Sequence, residues 1–380
     1  MSTPIPLLSP SPLDSRRFGY RIARATLQSV DERVLLKEII SQELDVAIVR
    51  IPAGASASLQ KLDRYGMAPI HADTLVYYQV SLDTYVPNPL RNPDLVFSVA
   101  VEADQNELSA LVSSTFEGYV SHYHANPAFA ARDILAGYAE WALGYSASTS
   151  SDRTTWVARR QGRIVAFACC SEDRDSGTCE GVLYGVHPEH SGGGLYGDLI
   201  RYTQEQFRVS GYMSMRVSTQ IWNLAVQKVW AREGFVLSRA YDTIHVNSML
   251  SAGEPLVDRQ LTFDADQVSR FAAITGDSNA IHLDDAAARH AGFEGRITHG
   301  MLAGGELSRI FGTEIPGVGT LFLRSNFIFM KPVYCGREHR LRIRYLAPLP
   351  LAGRIPAVAT LHDQDGALCL LCYSDLLKRD

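Results

Sequence analysis

The sequence predicts an α+β protein in which a mixed α/β sheet unit is followed by an antiparallel sheet wrapped on one long helix. Strand-like and helical periodicities alternate from about residue 10 to 247, the pattern of a mixed sheet with helices on its faces. Asn247 to Asp258, with Ser, Gly, Glu and Pro and little periodicity, is a linker. The last 120 or so residues hold one small-residue helix and then strand after strand. At 380 residues the chain exceeds the size at which a single core keeps growing. The expected organisation is a first α/β unit at 1–90, a second at 91–247, a linker at 248–258 and a third domain at 259–380.

In the first unit a helical stretch, Ser29 to Leu44, stands before two strand-like runs, Asp45 to Ile51 and Thr74 to Leu82. Pro and Asn at 87–93 break the chain before a strand at Leu95 to Val101 and an amphipathic helix at Asp104 to Ser114. Thr155 to Arg160 and Gly162 to Cys170 form a hairpin around the Gln161-Gly162 turn. A strand at Gly181 to Val186 leads into a glycine cluster and the helix Leu195 to Ser210. The strand Met213 to Ser218, the helix Leu224 to Glu233 and closing strand text to Val246 follow.

Composition narrows the function classes. With 46% hydrophobic and 20% charged residues and a net charge of -5, the chain reads as globular, and no Lys/Arg run is long enough to bind a nucleic-acid backbone. The opening residues lack a basic n-region and an apolar stretch, and no later segment approaches a membrane span, so a cytoplasmic protein is expected, with no membrane partner. Six cysteines show no zinc-ribbon spacing, and Cys369-Leu-Leu-Cys372 lies in the apolar run Ala367 to Tyr373, a buried strand rather than a redox helix start. His122-Tyr-His124 lacks a third ligand nearby, and no metal is expected.

Two motifs carry chemistry. Val186 to Ile200 runs from a strand through Ser191, Gly192, Gly193 and Gly194 into a helix. Glycines let successive backbone N–H groups converge, and a helix start adds its positive dipole end, so this turn suits a pyrophosphate. The second motif sets Asp277 and His282 on one short stretch ahead of the small-residue helix. A carboxylate and an imidazole can hold one water between them and move its protons, as hydration of an enoyl thioester requires. Backbone N–H groups at His299, Gly300 and Met301 are placed to receive the developing enolate charge on the thioester oxygen. Asn279 buttresses the loop. Ala303, Gly304 and Gly305 point to close approach of another backbone on that helix, since interior glycine costs about 1 kcal/mol relative to alanine.

The glycine turn, together with Asn223 and the Trp230 to Phe235 segment, resembles the GNAT family of N-acetyltransferases. The resemblance implies that Ser191, Gly192, Gly193, Gly194, Leu195 and Tyr196 cradle the CoA pyrophosphate and that Asn223 lies beside the pantetheine arm. Ser191 replaces the usual Arg or Gln and Tyr196 the usual small residue. Trp230 stands where a tyrosine commonly protonates the leaving thiolate, which an indole cannot do. Tyr184 or Tyr241 could supply that proton, and Glu180 could relay one from the attacking amine. Leu13 to Tyr20, Asp45 to Pro52, Leu62 to Gly66 with Asp73, and Tyr119 to Trp141 resemble dTDP-fucosamine acetyltransferases, which implies a half-GNAT unit at the N-terminus and a nucleotide-linked amino sugar as acceptor.

From about residue 256, Phe271 to His282, Gly292 to Met301 and Phe327 to Val333 resemble MaoC-type (R)-specific enoyl-CoA hydratases of the hot-dog fold, whose catalytic pair falls on Asp277 and His282. The implied co-substrate is an acyl-CoA, acetyl-CoA or a short-chain enoyl- or 3-hydroxyacyl-CoA. The single hot-dog unit implies a homodimer. The expected function is hydration of a crotonyl-CoA-like thioester to an (R)-3-hydroxyacyl-CoA and transfer of that acyl group to an amine. Two alternatives stand beside it: an amino acid acceptor or an acyl-carrier-protein thioester, and one module serving only dimerisation or acyl-CoA binding.

Overall fold

The computed structural model describes residues 6–147, 151–346 and 353–379. The first sheet begins with β1 (Ser9–Pro10), α1 (Pro12–Phe18), β2 (Ile22–Thr26), α2 (Glu32–Ser41) and β3 (Val46–Pro52). Asp31 caps α2 by accepting from the backbone of Arg33 and Val34. The helix carries the chain over the sheet, which lets β2 and β3 run parallel. After α3 (Ala57–Gln60) and a 3-10 turn come β4 (Ala68–Ser81), β5 (Val96–Val99), α4 (Gln105–Phe116) and α5 (Ala131–Ser146).

The chain continues with β6 (Arg153–Arg160), β7 (Arg163–Asp173), β8 (Thr178–Val186), α6 (Leu195–Val209), β9 (Ser214–Gln220), α7 (Leu224–Arg232) and β10 (Val236–Asn247). The Gln161-Gly162 hairpin forms as the sequence predicts, with φ of 52° and 83° at its two positions, the positive values that match the twist of the flanking strands. Ten strands make one sheet in the order β1-β2-β3-β10-β4-β9-β8-β7-β6-β5. β10 pairs with both β3 and β4, so the end of the second sequence block is sewn into the middle of the first.

The second sheet belongs to the C-terminal part, which holds β11 (Val257–Thr262), α8 (Ala265–Thr275), α9 (Ala280–Leu283), α10 (Asp285–His290), α11 (Gly300–Thr313), β12 (Thr320–Phe329), β13 (Glu338–Tyr345), β14 (Arg354–His362) and β15 (Leu368–Lys378). Its order is β11-β13-β14-β15-β12, every pair antiparallel. The sequence anticipates one helix here, and three more precede it. Two are a single turn or little more, started by Asn279 and Asp284 caps, too short to leave a periodic pattern. The sheet curls around α11, whose Leu307, Ile310 and Phe311 pack with Leu370, Cys372 and Leu376 of β15, and this is the hot-dog arrangement.

β15 is apolar on both faces because both are covered. Leu371 and Tyr373 point away from α11 into a core with Leu35, Leu36 and Ile39 of α2, so the two sheets share apolar packing. The Tyr373 hydroxyl donates to the Ser248 carbonyl at 2.5 Å, and the backbone N–H of Ser248 and Ser251 donate to Asp45. The stretch after β10 is thus pinned at its start rather than a loose spacer. Cys369 and Cys372 are buried and free in mid-strand, burial pushing each thiol up to about 11, which removes the thiolate that redox or metal chemistry needs. In α11 the expected backbone approach is corrected: a Cβ on Gly304 would meet the Phe327 ring at 3.1 Å, and one on Gly305 would meet nothing.

Candidate active sites

Gly276 ends α8 in the left-handed conformation at φ 78° and turns the chain so that Asp277 follows at the helix mouth. Asn279 caps α9, accepting from the Ile281 N–H, and α9 carries His282 inward. The sequence thus delivers both groups, Asp277 from a loop and His282 from one helical turn. His282 is buried, and its Nδ1 lies 2.8 Å from the Ile297 carbonyl oxygen. Nδ1–H must donate there, which leaves Nε2 as the ring's free base.

His299, buried at the start of α11, stacks on His282 with ring centroids 3.9 Å apart. Its Nε2 donates to the Asp277 carbonyl at 3.0 Å and stands 4.0 Å from the Asp277 carboxylate. The Asp277 side chain is 52% exposed, so a substrate can reach it. Donor atoms of Asp277, His282 and His299 all lie within 4.8 Å of one another. One water with two hydrogen bonds of about 2.8 Å spans such a gap. The same cluster is compact enough for a divalent transition metal, a use that the expectation of no metal does not include. No side chain caps α11, so the first-turn N–H groups at Gly300 and Met301 point out without an intrahelical partner. Gly300 faces the Phe329 ring, where a Cβ would come within 2.8 Å. The His299 side chain is the member that sequence reasoning missed, since only its backbone was assigned a role.

The other site lies in the ten-stranded sheet. β8 and β9 run parallel but pair only from Thr178–Ser214 to Gly181–Val217, so Val182 to Val186 and Ser218 to Gln220 diverge. The opening is flanked by the glycine turn. Gly192 and Gly194 have φ of 81° and 85°, Gly194 is the uncapped N-cap of α6, and a Cβ on Gly192 would meet open space. Ser191 is tied back to the Pro188 carbonyl by its hydroxyl at 2.7 Å. Asp198 fixes this end: fully buried in the first turn of α6, it accepts from the backbone of Arg91 and Asn92 and pairs with Arg201 at 2.9 Å.

The remaining predicted residues separate in space. Asn223 caps α7 and donates to Thr219 at 3.1 Å, so its amide is engaged within the fold. The buried Tyr184 hydroxyl bonds Thr203 at 2.8 Å and Cys170 at 3.2 Å, and burial pushes its pKa up. Tyr241 sits on β10 beside Tyr77 and Gln28, away from the glycine turn. Glu180 lines the cleft but is ion-paired with Arg216. Trp230 is buried, and the Tyr196 hydroxyl lies near enough to its indole to be held down by it, against a larger upward push from burial.

Between the splayed strands, β4, α1 and α5 lies a cavity of about 410 Å³, lined in part by Arg24, Arg50, Tyr77, Tyr119, Trp141 and Gln220. Arg17 lies flat against Gly137 of α5, where a Cβ would be 2.6 Å from the guanidinium carbon. His122 is at the rim, with Nδ1 2.8 Å from Nε2 of His245; burial lowers both imidazoles, His245 to about 3, so the pair is neutral.

Residues 114–235 match the acetyltransferase (GNAT) family model and residues 248–347 the MaoC like domain model. The chain is 41% identical over 76 residues to an (R)-specific enoyl-CoA hydratase of Aeromonas caviae, covering 20% of this chain and 57% of that protein. It is 30% identical over 105 residues to a mitochondrial 3-hydroxyacyl-[acyl-carrier-protein] dehydratase of Arabidopsis thaliana, covering 28% of this chain and 61% of the relative. It therefore spans less than two thirds of either relative. Among solved structures, the A. caviae (R)-hydratase aligns at 29% identity and TM-score 0.31, over 34% of this chain and 99% of that one. A GCN5-related N-acetyltransferase from Sphaerobacter thermophilus aligns at 15% identity and TM-score 0.39, over 53% and 59%. No helix among the described residues is long and apolar enough to cross a membrane. The chain carries a GNAT acetyltransferase domain and a MaoC-like hydratase domain in one polypeptide.

Proposed function

We propose that the protein hydrates a short enoyl-CoA to an (R)-3-hydroxyacyl-CoA and transfers that acyl group to the amine of a nucleotide-linked amino sugar. The observation that carries the reading is the cluster of Asp277, His282 and His299 at the uncapped start of α11. Asp277 and His282 polarise the water that attacks C3 and return a proton to C2, while the N–H groups of Gly300 and Met301 hold the enolate oxygen. His299 positions the pair through its stack on His282 and its bond to the Asp277 backbone.

On the other side, the β8–β9 opening takes the pantetheine arm and the glycine turn takes the pyrophosphate, with the acyl carbon presented to the 410 Å³ cavity. Tyr196, beside Trp230, supplies the proton for the leaving thiolate that the indole cannot. Both halves use one thioester, so the product of hydration is a donor for transfer. β12 is a sheet edge with exposed Leu321, Phe322 and Leu323, which suits pairing with a second copy. Leu323→Lys is expected to shift sedimentation toward the monomer.

Incubation with crotonyl-CoA and a dTDP-linked amino sugar, followed by mass spectrometry, tests the whole reading. The expected product is the 3-hydroxybutyryl amide. Transfer of acetyl groups alone, without hydration, would refute it.

A further inference from the structure

The ten-stranded sheet brings to one face a charge pattern that the spacing of these residues in the sequence does not show. Arg50 of β3 is in register with Thr243 of β10, and Thr243 with Asp73 of β4. Cross-strand partners point to the same face, so Arg50, Thr243 and Asp73 form one row, the outer two about 10 Å apart at the backbone. Leu75 and Tyr77, on the same face of β4 as Asp73, line the 410 Å³ cavity, and Leu75 is in register with Gln220 where β9 has parted from β8. Asp73 therefore stands one step along β4 behind the cavity wall formed by Leu75 and Gln220, on the face to which the cavity opens.

The charges of this face are not all balanced within the fold. Oδ1 of Asp73 is buried without a hydrogen-bond partner among the described residues. The Arg50 guanidinium makes no hydrogen bond or ion pair with a described residue, whereas Arg24 is held to Asp14 at 2.5 Å. Glu180, the carboxylate that the sequence suggests for this chemistry, is neutralised by Arg216. A second cavity of about 370 Å³, along β2 and β3, shares Arg24 and Arg50 with the first, so these two arginines stand where the two meet.

We propose that the acceptor is an anionic amine whose ammonium group is bound and deprotonated by Asp73, with its anionic group held several bonds away by Arg50. The inference rests on the transferase reading given above and names what that site recognises. Asp73 takes one proton from the ammonium. The free amine then attacks the thioester carbonyl, the C–N bond forms and the C–S bond breaks. Tyr196 protonates the thiolate to give CoA thiol and regains its proton from the second amine N–H, and the proton on Asp73 goes to solvent, so the products are amide, thiol and one proton. Burial raises the Asp73 pKa, and the Thr243 side chain, Arg50, the Gln220 side chain and His71 offset that only in part, which makes it a stronger base than an exposed aspartate; Tyr119 and Tyr138 are the other titratable groups facing it.

The experiment compares a dTDP-linked 4-amino sugar, the neutral methyl glycoside of the same sugar, and an α-amino acid as acceptors, for the full-length chain and its Asp73→Asn, Arg50→Ala and Arg50→Lys variants. Asp73→Asn is expected to lower kcat about 100-fold or more with the KM for acyl-CoA unchanged. Arg50→Ala should raise the KM of the nucleotide sugar about tenfold, leave that of the methyl glycoside unchanged and be partly rescued by Arg50→Lys. The same dependence on the amino acid alone would keep the anionic amine and change its source from phosphate to carboxylate. Asp73→Asn at wild-type rate, or Arg50→Ala acting equally on charged and neutral acceptors, would overturn the proposal. Wild-type protein that binds CoA but acylates none of the three would overturn the transferase reading itself, and this inference with it. Unchanged thermal melts check that each variant folds.

Discussion

The hydratase centre and the acceptor cleft differ in how far apart their residues lie in the chain. Asp277, His282 and His299 fall within positions 277–299, on one loop, one helical turn and one helix start. Arg24, Arg50, Tyr119 and Gln220 come from positions 24 to 220 and meet because β10 sews β3 to β4 and β9 lies on the far side of β4. A site built from local segments keeps its spacing in the sequence. A site built from sheet register does not, because the pairing partner is chosen by topology.

The sharpest way to break that comparison is at the local site. His282→Gln removes the free Nε2 base while keeping a side chain of similar reach, and hydration of crotonyl-CoA should fall about 10²- to 10⁴-fold in an absorbance assay. Transfer of preformed 3-hydroxybutyryl-CoA should be unaffected. Loss of both would mean that the two regions act as one. Next in size, Gly194→Val places a branched side chain at φ 85° with Arg91 at 3.4 Å, and should raise the KM for acyl-CoA about tenfold, roughly the 1–2 kcal/mol of a left-handed residue.

The contact between the two sheets can be tested separately. Gly66 has φ 77°, and a Cβ there would come within 2.6 Å of the Tyr373 ring, so Gly66→Ala should destabilise the protein by about 1–3 kcal/mol in urea unfolding. A single broadened loss of both sheets is expected, since Tyr373 belongs to the shared core. The smallest effect concerns the buried pair at the rim of the cleft. His122 and His245 stay neutral in the fold, so from pH 6.5 downward the unfolded chain binds protons that the folded one refuses. Stability should fall across that window toward about pH 3, and His245→Asn should flatten the slope of the urea midpoint against pH.

Legibility followed the same division. The capped helix α2, the Gln161-Gly162 hairpin and the glycine turn were readable because their signals are local. So was the apolar run of β15, although the partner covering its outer face, α2, was not. In the candidate sites the sequence marks Asp277 and His282 but not the side chain of His299, whose importance comes from a ring stack. It offers Tyr184 and Tyr241 without position, and the structure puts their hydroxyls against Thr203 and Gln28. Arg50 left one signal: a lone charge in the apolar strand Val46–Pro52. Such a charge is expensive to bury unless a cavity receives it.

The most direct test assays Asp277→Asn for both reactions in parallel, crotonyl-CoA hydration and transfer of preformed 3-hydroxybutyryl-CoA to an amine acceptor. The account predicts hydration reduced about 100-fold or more with transfer intact. Hydration at the wild-type rate, with Asp277 no longer able to accept a proton, would contradict it.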